Sequence, residues 1–177
     1  YYMALRERGV QKITVACQDV NLEGGIYDLT LAEHFVGTGN LDSVAESLRT
    51  YARLYIIGAS FWDQDWFQAQ NFFAQVMGGY PNMSDSSCMN ATSRWVQSTI
   101  KVADMQAAAG DYCTAAAQYA SAFTVNDPFN PTAFPTATEI WNLCNGGSGG
   151  GGGGETQTPT ATLLETPTPT PCPTDSV

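Results

Sequence analysis

Between residues 41 and 58, Leu41, Val44, Leu48, Tyr51 and Tyr55 fall at alternating spacings of three and four. An α-helix turns about 100° per residue, so this spacing gathers them on one face, and Gly39-Asn40 ahead supplies a capping residue. The pattern returns in Trp62, Trp66, Ala69, Phe73 and Val76, then stops at Gly78-Gly79-Tyr80-Pro81. A third helix is predicted over 86–109, aligning Ala91, Trp95, Val102 and Met105 and ending at Gly110. Asp111 is placed to cap a fourth, whose stripe is Tyr112, Ala115, Tyr119 and Ala122 and whose end is Asp127-Pro128. A last helix near 131–144 carries Phe134, Ala137, Trp141 and Cys144, with Pro135 in its first turn. Upstream, residues 26–37 read as a helix with Leu29, Ala32, Glu33 and Val36.

The first 20 residues admit two patterns. Val10, Ile13, Cys17 and Val20 fit a helix, while Ile13, Val15 and Cys17 also fit strand alternation. The helical reading is taken because every other segment is helical, and the class is all-α. Connections are short apart from 78–86, so sequential helices should pack antiparallel.

The helices occupy residues 1–145 and carry all four tryptophans, which makes that stretch one domain. Residues 146–154 form a Gly-rich linker, and 155–177 a Thr/Pro-rich tail. Proline at that density favours extended polyproline II and forbids a packed core. The threonines Thr156, Thr158, Thr160, Thr162, Thr166, Thr168, Thr170 and Thr174 are candidates for O-glycosylation, since this is the composition of glycosylated stalks. A plain solvated linker is the simpler alternative. Asn82-Met83-Ser84 and Asn90-Ala91-Thr92 are N-glycosylation sequons around the longest loop, of a kind that also arises by chance.

Charged residues form 14% of the chain, against roughly 25% in average soluble proteins, and the net charge is −10. Lysine and arginine do not occur after Lys101. A nucleic-acid backbone is repelled by such a half, and neither a basic cluster for anionic lipid nor a transmembrane stretch is present in the sequence.

Little in the sequence suggests catalysis or a cofactor, and the chain reads as a non-enzyme. A triad would have to use the lone His34, for which a solvated helix position is the simpler reading. Asp63 and Asp65 suit a helix N-terminus better than a carboxylate pair, and Asp-x-Asp lacks the rest of a calcium loop. None of the five cysteines forms a CxxC pair, so structural zinc is not expected. The run 149–154 has no Lys-Ser/Thr and is a linker, not a phosphate cradle.

Two helices match each other: Asp65-Trp66, Ala69, Phe73, Val76 and Pro81 against Asp111-Tyr112, Ala115, Tyr119, Ala122 and Pro128. Small residues admit a neighbouring helix, aromatics fill the space beside it and proline ends the unit. Gly110-Asp111-Tyr112-Cys113-Thr114-Ala115, continuing to Tyr119, Ala122 and Asp127-Pro128, resembles the second helix of a tetratricopeptide repeat. Val102 and Ala103 fall where that family's first helix carries its Leu-Gly contact. The resemblance covers 62–81 and 96–128, and 27–58 loosely. The two matches lie 46 residues apart, where the family repeats about every 34. It implies helix pairs in a right-handed array and a role in protein contacts.

An exported location is expected from the tail, extracellular or at the cell surface, and it favours disulfides. The composition is similar to that of cell-surface proteins of filamentous bacteria, which suggests a bacterial source. Antiparallel alternation brings the start of the fourth helix, Cys113, beside the end of the fifth, Cys144. Cys88 would stand about 30 Å from Cys113 at the far end of a helix of about 20 residues, so Cys113–Cys144 is the expected bond. The pairing of Cys17, Cys88 and Cys172 stays open.

The ends of the array look uncapped by polar residues. Tyr1, Tyr2 and Met3 at one end, and Phe134, Ile140 and Trp141 at the other, are candidates for assembly contacts with other copies of the chain. A heterologous contact of this kind need not close and can give a filament. The alternative is a cell-envelope adaptor that binds a peptide or protein and is tethered by its tail.

Overall fold

The computed structural model describes residues 1–125 and 134–146, with the side chains of Phe134 and Pro135 excepted. The tail threonines and Cys172 lie outside them. The described residues fold into seven α-helices: α1 (Tyr2–Thr14), α2 (Leu22–Val36), α3 (Ser43–Ser60), α4 (Trp66–Gly79), α5 (Ala91–Ala108), α6 (Tyr112–Phe123) and α7 (Phe134–Gly146). A 3-10 turn, Cys17–Asp19, sits between α1 and α2. Strands are absent among the described residues, and the all-α class holds.

Local chemistry sets the helix starts. Asn21, Asp42, Asp65, Asn90 and Asp111 each accept a hydrogen bond from the backbone N–H three residues on, which satisfies a donor the helix leaves open. The cap of α3 is thus Asp42 and not Asn40. The predicted first helix stops early, at Thr14, with Val15 extended. Asn21 N–H donates to the Lys12 carbonyl, closing a reversal through the 3-10 turn, and α2 begins at Leu22 instead of 26. The third predicted helix likewise starts late, at Ala91, because 85–90 is loop. Within that loop Cys88 takes φ 63°, and Asn90 pairs with Ser84, just ahead of the loop, in a single antiparallel bridge.

Successive helices run antiparallel along the chain. Gly9 on α1 lies against Leu29 on α2, and Ile13 lies against Gly25. Arg49 reaches Glu33 while Arg53 reaches Thr30, which sets α3 against α2 in opposite sense. Gly58 meets Phe72 and Phe73, and Tyr51 meets Gly79, which does the same for α3 and α4. α5 packs between α4 and α6, and α7 packs on α6.

Two apolar cores result. The first joins α1–α4 with Met83 and Ala91, and includes the fully buried Leu29, Tyr55, Phe73 and Val76. The second, on α5–α7, is built mainly of alanine around Tyr119: Ala103, Ala115, Ala116, Ala137 and Ile140. Gln70 on α4 bridges them, donating to Thr99 of α5 at 3.0 Å and to Gln118 of α6 at 2.8 Å. The buried stripes differ in detail from the expected ones. On α3, Ala45 and Ala52 are buried and Val44 faces out; on α5, Val96 and Thr99 are buried and Met105 faces out.

Candidate functional site

The two ends of the helix series each expose apolar side chains, and different devices hold them. At the α1–α2 end, Tyr1 is 97% exposed and stacks on Phe35 with ring centroids 6.2 Å apart. Met3, Tyr27 and Phe35 are also exposed. Tyr2 departs from the expectation: it is half-buried against the first core, and its hydroxyl donates to Asp42 at 3.3 Å. The helix turns about 100° per residue, so of three consecutive side chains one is drawn inward.

This end is pinned by ion pairs. Asp28 on α2 is buried and accepts from Arg8 at 2.6 and 2.7 Å, with Lys12 Nζ at 2.8 Å. Arg8 and Lys12 stand four apart on α1, so both converge on one carboxylate. Arg8, foremost, holds the Asp28 carboxyl below its ordinary range. Arg6 grips Asp42 with two bonds of 3.0 and 3.1 Å and depresses that carboxyl strongly. The helices meet closely beneath: a Cβ on Gly25 would stand 2.5 Å from Ile13 and 2.9 Å from the Gly9 carbonyl.

At the α6–α7 end, a groove of about 260 Å³ runs between the two helices, lined by Ala116, Tyr119, Ala120, Ala137 and Trp141 among others. Trp141 is 54% exposed, and Leu143, two residues on, is exposed as well. Ile140, expected outward, is buried on α6 with Ala137, while the Phe134 side chain lies outside the described residues. The Cys113–Cys144 bond, 2.05 Å, closes the far end of the pair. The Tyr119 hydroxyl donates to Asp104, and burial, with that carboxylate, pushes its pKa up.

Between the ends lies a polar hub. Arg94 on α5 donates to the Tyr55 hydroxyl at 3.1 Å, to Asp85 at 2.6 Å and to Ser87 at 3.2 Å. Its guanidinium lies 4.6 Å over the Trp62 ring. Tyr55 donates in turn to the Met89 carbonyl, and burial raises its pKa to about 12. At Asp85, burial works against ionisation but is outweighed by Ser87 and Arg94, leaving the carboxyl below its ordinary range. A second disulfide, Cys17–Cys88, fastens the 3-10 turn to the same loop. The hub is a clamp on the 80–90 loop: each of its polar groups is engaged by another part of the chain.

His34 is exposed on α2, with Phe35 edge-on at 6.5 Å. Asp65 caps α4, and Asp63 sits in a turn at φ 63°. Among the described residues, no group of histidine, cysteine, aspartate and glutamate is arranged to hold a metal ion. No helix there is long and apolar enough to cross a membrane. Of the sequons, Asn82 is exposed at the rim of a cleft floored by Ile13, Leu48 and Met83, whereas the Asn90 side-chain Oδ1 accepts from the Ser93 N–H at 2.8 Å as the cap of α5.

Sequence reasoning missed the Asp28 cluster and the Arg94 hub, and left the Cys17–Cys88 bond open. The i, i+4 spacing of Arg8 and Lys12 was a usable signal for the first. For the bond, once Cys113 and Cys144 are paired and Cys172 is assigned to the tail, Cys17 and Cys88 remain. Comparison with protein-family models, with curated proteins and with solved structures gives no significant match for this chain.

Proposed function

We propose that the chain is a structural assembly module that stacks head to tail on copies of itself, its helix pairs forming a tetratricopeptide-like array. One observation carries this reading. Both ends of the helix series expose large apolar side chains, Tyr27 and Phe35 at one and Trp141 and Leu143 at the other. A terminal helix pair that stood in water would be expected to carry a polar outer face. Charge disfavours two α6–α7 faces meeting each other. The described chain beyond Lys101 carries Asp104, Asp111 and Glu139 and neither lysine nor arginine. Such a heterologous contact leaves a free end on every pair and can propagate into a filament.

The setting proposed is extracellular or at the surface of a bacterial cell, with sugar on the tail threonines. Two disulfides suit an oxidising compartment, and Thr/Pro repeats suit O-glycosylation. A non-enzymatic role goes with this reading. The cleft over Ile13, Leu48 and Met83, about 260 Å³, favours a second one, an envelope adaptor that takes an apolar side chain of a peptide.

The test is a mixing experiment on the full chain. Tyr27→Asp blocks one end and Trp141→Asp the other. Sedimentation velocity should find each variant monomeric at concentrations where the native chain forms long species, and their equimolar mixture should stop at dimers. Discrete native monomers at high concentration would refute stacking and favour the adaptor. Intact mass of protein from its native source reads out the sugar.

A further inference from the structure

The α6–α7 face is a composite. Ala116, Tyr119 and Ala120 come from α6, while Ala137 and Trp141 come from α7, so the groove exists only while the two helices are docked. The hold of α7 is narrow. Among its described side chains Ala137 and Ile140 are the buried ones, on a helix of 13 residues. Helices of that length are marginal in water without a packed face. Among the described residues it packs mainly on α6, and Cys113–Cys144 cross-links it at the end opposite its first turn. The first core is arranged differently, since α1–α4 enclose one another and are cross-braced by Asp28, Arg49 and Arg94.

We infer that Cys113–Cys144 licenses assembly: the stacking face forms when this bond forms, and the dithiol chain is a folded monomer with α7 undocked. This rests on the stacking reading and adds its regulation. A chain kept reduced inside the cell would not polymerise there, and would become competent on reaching an oxidising compartment. The chemistry is thiol–disulfide exchange with a disulfide oxidant, a protein or a small molecule. The thiolate of one cysteine attacks the oxidant's S–S bond and releases one thiol. The second cysteine then displaces the other, so two electrons and two protons leave the pair and the oxidant departs as two thiols.

The experiment compares the native oxidised chain with Cys113→Ser/Cys144→Ser, which keeps Cys17–Cys88. Hydrogen exchange read by mass spectrometry should show residues 134–146 losing protection to the level of a free peptide, with α1–α5 unchanged. Sedimentation velocity should show the association constant falling at least tenfold. Partial reduction with dithiothreitol, each freed thiol located by alkylation, gives the same readouts on the native sequence should the serine pair fail to fold. Retained protection of 134–146, or equal assembly of the oxidised and dithiol forms, overturns the licensing proposal and leaves stacking in place. An oxidised chain that stays monomeric overturns stacking itself, and licensing with it.

Discussion

The two cores solve the same problem with different means. The first encloses large rings: Tyr55 packs edge-on to Phe73 at 5.2 Å, and Trp62 lies edge-on to Phe73 at 6.0 Å. The second is lined mostly by alanines around one tyrosine, and a single helix pair forms its outer wall. Each has one disulfide, spanning 71 residues in the first and 31 in the second. By chain entropy the two loops are worth nearly the same, about 4 kcal/mol each. What differs is the work left for the bond. In the first core it reinforces a loop already held by Asp85, Arg94, Tyr55 and Met83. In the second it holds a short helix whose buried described side chains are Ala137 and Ile140.

The sharpest way to break this contrast is Phe73→Ala. Phe73 is fully buried between Tyr55, Trp62 and Gly58, so truncation should cost about 3–5 kcal/mol. Denaturant unfolding followed by circular dichroism should show the loss as one cooperative transition across α1–α5. A variant that loses less than 1 kcal/mol would mean that the aromatic core is not what sets stability.

Next is Gly25→Ala. The added Cβ would meet the Gly9 carbonyl at 2.9 Å, and backbone cannot swing aside as a side-chain tip does. Overpacking of this kind costs about 1–3 kcal/mol, and the upper end is expected here. Gly78→Ala is the counterpart: nothing stands within 4 Å of its Cβ, and α4 should gain about 0.5 kcal/mol.

These two glycines mark what could be read in the sequence. The end of α4 at Gly79 was legible because Gly-Gly before Tyr-Pro punctuates locally. The close crossing of Gly9 and Gly25 was not, because it depends on which helices meet. α3 to α6 were legible as helices, since their apolar residues keep the period over three or more turns. Their buried faces were less so. Val44 and Ala45 fit the same stripe equally well, and small alanine goes inward where helices come close. The same ambiguity decided the α6–α7 end: spacings of three and four both suit a helix, and Ala137–Ile140 is the buried step while Trp141 turns out. Arg94 escaped notice because burial of a cation contradicts the apolar pattern until Asp85, Tyr55 and Trp62 are placed around it.

Asp28→Asn tests the ionic brace of the first core. Its carboxyl titrates below its ordinary value in the folded chain. The stabilisation is therefore fully present above the unfolded pKa of about 3.9 and is lost as pH falls through the folded value. At neutral pH the variant should lose about 1 kcal/mol, a screened figure because Arg8 is half-exposed. Thermal unfolding from pH 7 down to 2 should show the native chain losing its advantage in the acid range, with the two curves converging. Curves that stay parallel down to pH 2 would remove Asp28 as a source of pH dependence.

The smallest expected change in stability is the one that bears most on function. Trp141→Ala removes a large ring that is 54% exposed and lies over a groove instead of within a core. Monomer stability should shift by less than about 0.5 kcal/mol, as for surface substitutions generally. Association should fall nonetheless, because a half-exposed tryptophan at an interface is the residue type that most often dominates binding. Sedimentation velocity beside a denaturant melt separates the two effects. A large stability loss would move Trp141 into the second core. An unchanged association constant would mean that the α6–α7 face does not carry the stack.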